Sequence, residues 1–354
     1  MRYAAETRVL RVNPAQPEPE IIAQAADVIR AGGLVAFPTE TVYGLGANAN
    51  DANAIARIFS AKERPMADPL IVHLADANQL PTVACDLPPI AHELTALMPG
   101  PLTMVVQRQS HIPANVSAGL PTVAVRVPSH PVAHALMAAA GVPIAAPSAN
   151  RFSRPSATTA AHVLEDLRGH VDLVLDGGAA PIGIESTIVD LTTEPPRILR
   201  YGAVQPEQFE ALGFVAEPLA ATEDGAAKPA PGMMLKHYSP RARLRFYGDG
   251  SPLDAILRQM HADARDLSAQ GLRVGILTPD ADADFFADLP VEIVKLGTTL
   301  DQIAARLFAA MRELDSANID VILARGYPRS GIGAALWERL LRAAEGQITS
   351  ASPK

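Results

Sequence analysis

The stretch from Leu34 to Gly46, LVAFPTETVYGLG, constrains the fold more than any other part of the chain. It opens with four apolar residues, which is typical of a buried strand, and it turns polar directly after Pro38. Glycines follow at positions 44 and 46, where the absence of a Cβ atom would let the backbone come close to a bound group. We therefore expect a buried strand that leads to the floor of a small polar ligand site, with an ordinary turn as the alternative.

The length and the composition indicate a protein with a large core. The chain has 354 residues, of which 48% are hydrophobic, enough for two domains. No apolar run is long enough to span a bilayer, and the first residues lack the apolar segment of a secretory signal. The single cysteine, Cys85, rules out an intramolecular disulfide and a cysteine-based zinc site. We expect a cytoplasmic protein without membrane contact.

The pattern of apolar residues divides the chain into three parts. Residues 1–214 alternate short apolar strands with amphipathic helices and predict an α/β domain. Residues 215–242 are rich in Ala, Pro, Glu and Gly and predict a linker, whose end, PGMMLKHYSPRAR, has the chemistry of a lid. Residues 243–354 predict a smaller α/β domain with a mostly parallel sheet. Gly331 and Gly333 open its last helix, where we expect close packing rather than a phosphate site.

Several cationic and polar residues at predicted strand and helix ends are candidates for ligand binding. Arg126 lies in the apolar strand VAVRVP, where burial would be costly without an anionic partner; the alternative is an edge strand with the guanidinium reaching water. Lys62 and Arg64 follow a predicted helix, where they could bind a ligand or merely complement the helix dipole. His73 lies in a strand and could be structural. The loop PIAAPSANRFSRPSATT, residues 143–159, suits a phosphate or ribose, or is simply solvated.

Familiar catalytic motifs are absent from the sequence. There is no P-loop, no HExxH motif, no complete GxGxxG motif and no defensible order of Ser, His and Asp. Lys, Arg, Ser, Thr and His residues suit a reaction that depends on positioning and charge neutralisation, such as nucleotidyl transfer. The net charge of −8 argues against nonspecific binding of nucleic acid.

Six segments in a fixed order carry a family resemblance: FPTETVYGLG, KERPMADPL, AVRVP, PSAN, ESTIVD and LRYG. Together they resemble the threonylcarbamoyl-AMP synthase family, also called the YrdC-like family, over about residues 15–205. The linker and the tail resemble the longer, two-domain members. The resemblance implies an open twisted sheet of mixed direction with a concave face, followed by a smaller Rossmann-like domain with a parallel sheet.

The resemblance also implies a reaction. L-Threonine and bicarbonate (or CO₂) give an N-carboxylated threonine, whose carboxylate attacks the α-phosphate of ATP, with Mg²⁺ accompanying the nucleotide. The products are L-threonylcarbamoyladenylate and pyrophosphate. A downstream threonylcarbamoyl transferase complex then modifies adenosine 37 of tRNAs that read ANN codons, and contact with tRNA is an open expectation.

The site residues implied by the resemblance form a threonine set and a nucleotide set. Residues expected to bind threonine are Thr41, His73, Arg126, Ala146 and Ser186. Residues expected to bind the nucleotide are Lys62, Arg64, Asp68, Thr122, Ser148, Asn150, Ser156, Arg200 and His237. Among these, Lys62, Arg64 and Arg126 are expected to be catalytic. The chain departs from the usual pattern at Met234 and Leu235 in the lid, and Asp68 stands where asparagine is also common.

Two other functions remain as alternatives. One is a non-catalytic YrdC-like module that grips RNA through a basic concave face, against which the acidic balance of the chain argues. The other is a carbamoyl-handling domain like that of hydrogenase maturation factors, which carry zinc fingers that a chain with one cysteine cannot form.

Overall fold

The structure, a computed structural model, describes residues 6–212, 217–218, 230–231 and 237–351. The chain forms two compact units. The first comprises Met1–Phe152 and Ser156–Met233, and the second comprises Ser153–Pro155 and Met234–Lys354. The predicted linker, residues 215–242, lies for the most part outside the described residues. Among the described helices, none is both long enough and apolar enough to cross a bilayer.

The first unit is built on one large mixed sheet. Its described strands are β1 (Arg8–Arg11), β2 (Val35–Phe37), β3 (Gly44–Asn48), β4 (Ile71–His73), β5 (Ala84–Cys85), β6 (Leu102–Arg108), β7 (Thr122–Arg126), β8 (Ile144–Ala145), β9 (Leu173–Asp176), β10 (Thr187–Asp190), β11 (Arg197–Arg200) and β12 (Glu217–Pro218). They are ordered β1-β9-β2-β3-β8-β4-β7-β6-β10-β11-β12, and β5 pairs with β6. The pairs β4–β7 and β6–β10 are parallel, whereas β6–β7 is antiparallel.

Helices cover parts of both faces of this sheet. They are α1 (Pro19–Arg30), α2 (Ala52–Lys62), α3 (Pro89–Leu94), α4 (Pro131–Ala140), α5 (Ala160–Leu167) and α6 (Pro206–Glu210). The Asp51 side chain caps α2 by accepting from the backbone N–H groups of Asn53 and Ala54. Thr159 caps α5 through the N–H of His162.

Strand alternation separates the core into distinct clusters. The largest lies on one face and includes Val72, Met104 and Val125. On the opposite face, α1 and α4 cover a second cluster, whose strand residues include Phe37 and Ile144. A smaller cluster lies on the same face as the second cluster. Its strand residues alternate with those of the first cluster, so they point to the opposite side of the sheet. Its members are Ile71, Val105, Ala124, Ile188, Leu199 and Ala230.

The strand β3 was missed by the sequence prediction, which expected a glycine turn beside a ligand. A Cβ atom at Gly46 would lie 2.7 Å from Cε1 of Phe37 and 2.8 Å from Cγ2 of Ile144. These glycines lie in a strand paired antiparallel with β2, and Gly46 makes room for the Phe37 ring. The close approach that glycine permits at position 46 therefore serves core packing, whereas the ligand floor expected at this stretch stays a prediction.

The second unit carries a four-stranded parallel sheet in its described part. Its elements are β13 (Arg243–Tyr247), α7 (Leu253–Ala269), β14 (Val274–Thr278), β15 (Glu292–Lys295), α8 (Leu300–Ser316), β16 (Val321–Arg325) and α9 (Gly331–Ala343). The strand order is β13-β16-β14-β15. A Cβ atom at Gly333 would lie 2.2 Å from the carbonyl oxygen of Pro328, which confirms that glycine is needed there for close packing.

Candidate active site

Arg126, at the end of β7, is a buried cation on the large sheet of the first unit. Its side chain is only 5% exposed, and β7 lies between β4 and β6, so the edge-strand alternative is wrong. One terminal nitrogen donates to Oε1 of Glu40 at 2.6 Å and the other donates to Oγ1 of Thr41 at 2.9 Å. The anionic partner that burial of an arginine requires is therefore Glu40, a residue for which sequence reasoning had no role.

His73 lies directly beside Arg126, because the two residues are register partners in β4 and β7. The imidazole is buried, its Nδ1 lies 3.1 Å from the carbonyl oxygen of Ile71, and its ring meets Phe37 edge to face. Burial, aided by the positive charge of Arg126, lowers the pKa of His73 from 6.5 to about 3. The histidine is therefore neutral at physiological pH and offers hydrogen bonds without charge.

The sheet register extends this pair into a row across five strands. Arg126 faces Thr103 in β6, Thr103 faces Ile188 in β10, and Ile188 faces Arg200 in β11. At about 4.8 Å per strand, the Cα atoms of Arg126 and Arg200 are separated by roughly 14 Å. Residues that are far apart in sequence, including His73 and Arg200, thus line one face of one sheet.

Ser186 joins the two halves of that row. Its hydroxyl lies 2.8 Å from the hydroxyl of Thr103 and accepts from Arg200 at 3.1 Å, while Nε of Arg200 donates to its carbonyl oxygen at 3.0 Å. All three side chains are buried. Thr103 was missed by sequence reasoning, and only its polar character in the otherwise apolar strand LTMVV marks it.

Lys62 is the last residue of α2 and is 1% exposed, which excludes the alternative of a solvated surface cation. Its ammonium donates to the backbone carbonyls of Ser148 and Asn150. The helix ends there because Glu63 adopts a left-handed conformation, with φ of 54°. Lys62 therefore holds the PSAN segment against the end of α2.

Arg64 and Asp68 form a buried ion pair beyond the same helix. Their side chains approach to 2.9 Å, and the guanidinium also donates to the carbonyl oxygens of Asp68 and Pro69. In the parallel pair β4–β7, Ala124 lies opposite Ile71. Thr122, two residues earlier, therefore lies level with Pro69, where the chain enters β4. Thr122 and Arg126 share one face of β7 and are separated by about 13 Å.

The loop after β8 contributes buried polar groups. The amide of Asn150 donates to the carbonyl oxygen of Arg151, and the hydroxyl of Ser156 donates to a carboxylate oxygen of Glu185. Ala146 uses its N–H to bond the carbonyl oxygen of Ile71, next to His73. The loop therefore lies across β4 with its polar groups fixed by backbone contacts and by Glu185.

The linker reaches this face through residues 230 and 231. Ala230 is fully buried in the small apolar cluster with Ile71 and Ala124, and Arg200 donates to the carbonyl oxygen of Pro231 at 3.4 Å. His237 belongs to the second unit, where its ring lies 4.0 Å from that of Tyr238. Met234, Leu235 and Lys236, the other lid residues, lie outside the described residues.

Comparison with known proteins identifies the family of the chain. A family model described as telomere recombination matches residues 27–202, and one described as threonylcarbamoyl-AMP synthase, C-terminal domain, matches residues 204–345. The threonylcarbamoyl-AMP synthase of Pyrococcus abyssi is 43% identical over 323 residues, 90% of this chain and 92% of that protein. The chain belongs to the threonylcarbamoyl-AMP synthase family. The synthase of Bacillus subtilis is 40% identical, with 92% of this chain and 94% of that protein covered.

Similar solved structures confirm the predicted fold class. The structure of P. abyssi Sua5 complexed with L-threonine has a TM-score of 0.90 and 41% identity, and it covers 97% of this chain and 99% of its own. Escherichia coli YciO, with a TM-score of 0.51 and 26% identity, covers 57% of this chain and 99% of its own. Both the large mixed sheet and the smaller parallel sheet were thus predicted correctly.

Proposed function

We propose that this threonylcarbamoyl-AMP synthase family member converts L-threonine, bicarbonate and ATP into L-threonylcarbamoyladenylate and pyrophosphate. The observation that carries the proposal is the buried guanidinium of Arg126, which lies beside a hydroxyl and a neutral histidine. A planar guanidinium can hold a carboxylate through two parallel hydrogen bonds, which an ammonium cannot do.

The threonine end of the site consists of the residues around Arg126. Arg126 binds the α-carboxylate, while Thr41 and neutral His73 supply uncharged hydrogen-bonding groups next to it. The backbone of Ala146 and the hydroxyl of Ser186 border the same face. A neutral histidine is favourable here because a second cation beside Arg126 would raise the cost of burial.

The nucleotide end lies along the same face. Lys62 and Arg64 place positive charge near the PSAN segment and Thr122, where the phosphates of ATP would lie. Arg200 and the loop residues Ser148, Asn150 and Ser156 offer donors to the nucleotide, and Asp68 orients Arg64 through their ion pair. Mg²⁺ enters with ATP as part of the substrate, where it neutralises phosphate charge.

The chemical step is an in-line displacement. An oxygen of the threonine carbamate attacks the α-phosphorus of ATP, a new O–P bond forms, and the bond from the α-phosphorus to the bridging oxygen breaks. Pyrophosphate leaves with that oxygen. The protein contributes position and positive charge and needs no nucleophile of its own.

The product is a mixed anhydride, so a second enzyme must accept the threonylcarbamoyl group. We propose the threonylcarbamoyl transferase complex as that downstream partner, adenosine 37 of ANN-reading tRNAs as the acceptor, and the cytoplasm as the location. The alternative is a YrdC-like RNA-binding module, which would bind RNA in a salt-dependent manner without turnover of ATP.

The test is pyrophosphate release from MgATP by the full chain, with and without L-threonine and with and without bicarbonate. Release that requires both supports the proposal. Release that is indifferent to threonine, or no release together with salt-dependent RNA binding, contradicts it and favours the RNA-binding module.

A further inference from the structure

Glu40 is a buried carboxylate of which only one oxygen has a partner. The residue is 6% exposed, and Oε1 accepts from Arg126 at 2.6 Å. Oε2 is buried and has no hydrogen-bond partner among the described residues. The backbone around it is fixed, since its carbonyl oxygen accepts from the N–H of Ile182 at 2.9 Å. A buried anionic oxygen without a donor is costly and points to a group that arrives with a ligand.

The charges at this end of the site specify that group. Arg126 and Glu40 neutralise each other in the free protein. When Arg126 also binds a substrate carboxylate, one positive charge lies beside two negative charges. A second cation is then needed to make the group neutral. L-Threonine brings both charges, a carboxylate and an ammonium on the same α-carbon.

We propose that Oε2 of Glu40 receives the α-ammonium of L-threonine. The inference rests on the proposed function and adds a role that sequence reasoning left unassigned. Arg126 and Glu40 together then recognise an α-amino acid as a zwitterion.

Neighbouring groups are poorly suited to this role. His73 is neutral and brings no negative charge to pair with an ammonium. His130, whose nearby charged group is Glu40, accepts from the N–H of Val132 through Nδ1, and burial lowers its pKa. Glu185 already accepts from Ser156. Arg126 is a cation throughout.

The test compares the affinities of the wild type and several variants for two ligands. Affinity is measured by calorimetry on the full chain without ATP or bicarbonate. The ligands are L-threonine and its 2-hydroxy analogue, in which a hydroxyl replaces the ammonium. The wild type should prefer threonine by roughly 10- to 100-fold, the range expected for a hydrogen bond to a charged group. Glu40→Gln should lower threonine affinity by a similar factor and change that of the analogue less than about threefold. The exposed Glu20→Gln is the matched control and should behave as the wild type.

Equal losses for both ligands in Glu40→Gln would show that Glu40 only holds Arg126 in place, and an unchanged preference would place the ammonium elsewhere. Either result overturns the proposal, as does a wild type without preference. Glu40→Asp retains the negative charge and should keep a preference of several fold, so it tests the proposal even if Glu40→Gln fails to fold in thermal unfolding.

Failure of this inference can be told apart from failure of the proposed function. If pyrophosphate release depends on threonine but the preference for threonine over the analogue is the same in Glu40→Gln, only the proposed role of Glu40 is contradicted. If the preference for threonine depends on Glu40 but no threonine-dependent release of pyrophosphate occurs, the ammonium site is supported and the proposed function is contradicted.

Discussion

Protonation of His73 should destabilise the first unit in mild acid. Its pKa is about 3 in the folded protein and 6.5 for an unperturbed histidine. The unfolded chain therefore takes up the proton first, and this contribution to stability is complete above about pH 6.5 and lost as the pH falls from 6.5 toward 3. At pH 5 the loss is about 2 kcal/mol, from 1.36 kcal/mol per pH unit over about 1.5 units.

The variant His73→Gln removes the titrating group and keeps a hydrogen-bonding side chain. Between pH 7 and pH 5, the wild type should lose about 2 kcal/mol more of its free energy of unfolding than this variant does. Urea unfolding followed by far-UV circular dichroism measures the difference. His170→Gln is the matched control, because His170 lies exposed in the same unit. The single tryptophan, Trp337, lies in the second unit, so circular dichroism rather than its fluorescence is used to follow the first unit.

Other groups that titrate between pH 7 and pH 5 contribute equally to wild type and variant and cancel in the comparison. A wild type and a His73→Gln protein that lose the same stability would refute the reasoning, because His73 would then carry a near-normal pKa. So would a wild type that loses less than the variant, which would mean that the folded state prefers the imidazolium.

Two further substitutions separate the two ends of the site. Arg126→Lys keeps the charge that Glu40 requires but loses the planar fork, so threonine affinity should fall roughly 10- to 100-fold while affinity for a non-hydrolysable ATP analogue changes little; equal losses for both ligands in calorimetry would contradict the carboxylate role. Lys62→Met removes the ammonium that holds the carbonyls of Ser148 and Asn150, so affinity for the analogue should fall by about 10-fold or more and threonine affinity by less than threefold. Unchanged affinity for the analogue would remove Lys62 from the nucleotide end.

Local signals in the sequence predicted the alternation of helices and strands, because caps and apolar spacing act over a few residues. The helix α2 is an example, with Asp51 as its cap and Ile55, Ile58 and Phe59 buried. The strand β3 was missed because its sequence, GLGAN, has the composition of a turn, and its strand conformation depends on pairing with β2 and on the ring of Phe37.

The assembly of the site could not be predicted from local pattern. His73, Arg126, Thr103 and Arg200 form one row only because the strand order is β4-β7-β6-β10-β11, which does not follow the chain. The family resemblance supplied most of these residues, whereas the row's spacing and the contribution of Thr103 depend on long-range pairing. The burial of Arg126 was predicted to need an anion, but nothing in the sequence identified Glu40 as that anion.

Ion pairs within the chain explain how an acidic protein maintains a cationic site. The net charge is −8, yet Arg126 and Arg64 are buried, each beside a carboxylate of its own chain, Glu40 or Asp68. Desolvation of these cations is therefore offset during folding, before any substrate arrives. A substrate carboxylate or phosphate then meets donors that are already oriented and dry, and binding requires little reorganisation of the protein. Because the internal carboxylates remain next to the arginines, an anion without an accompanying cation is opposed by their charge. Threonine brings its ammonium and ATP brings Mg²⁺, so each proposed substrate carries the cation that this arrangement demands.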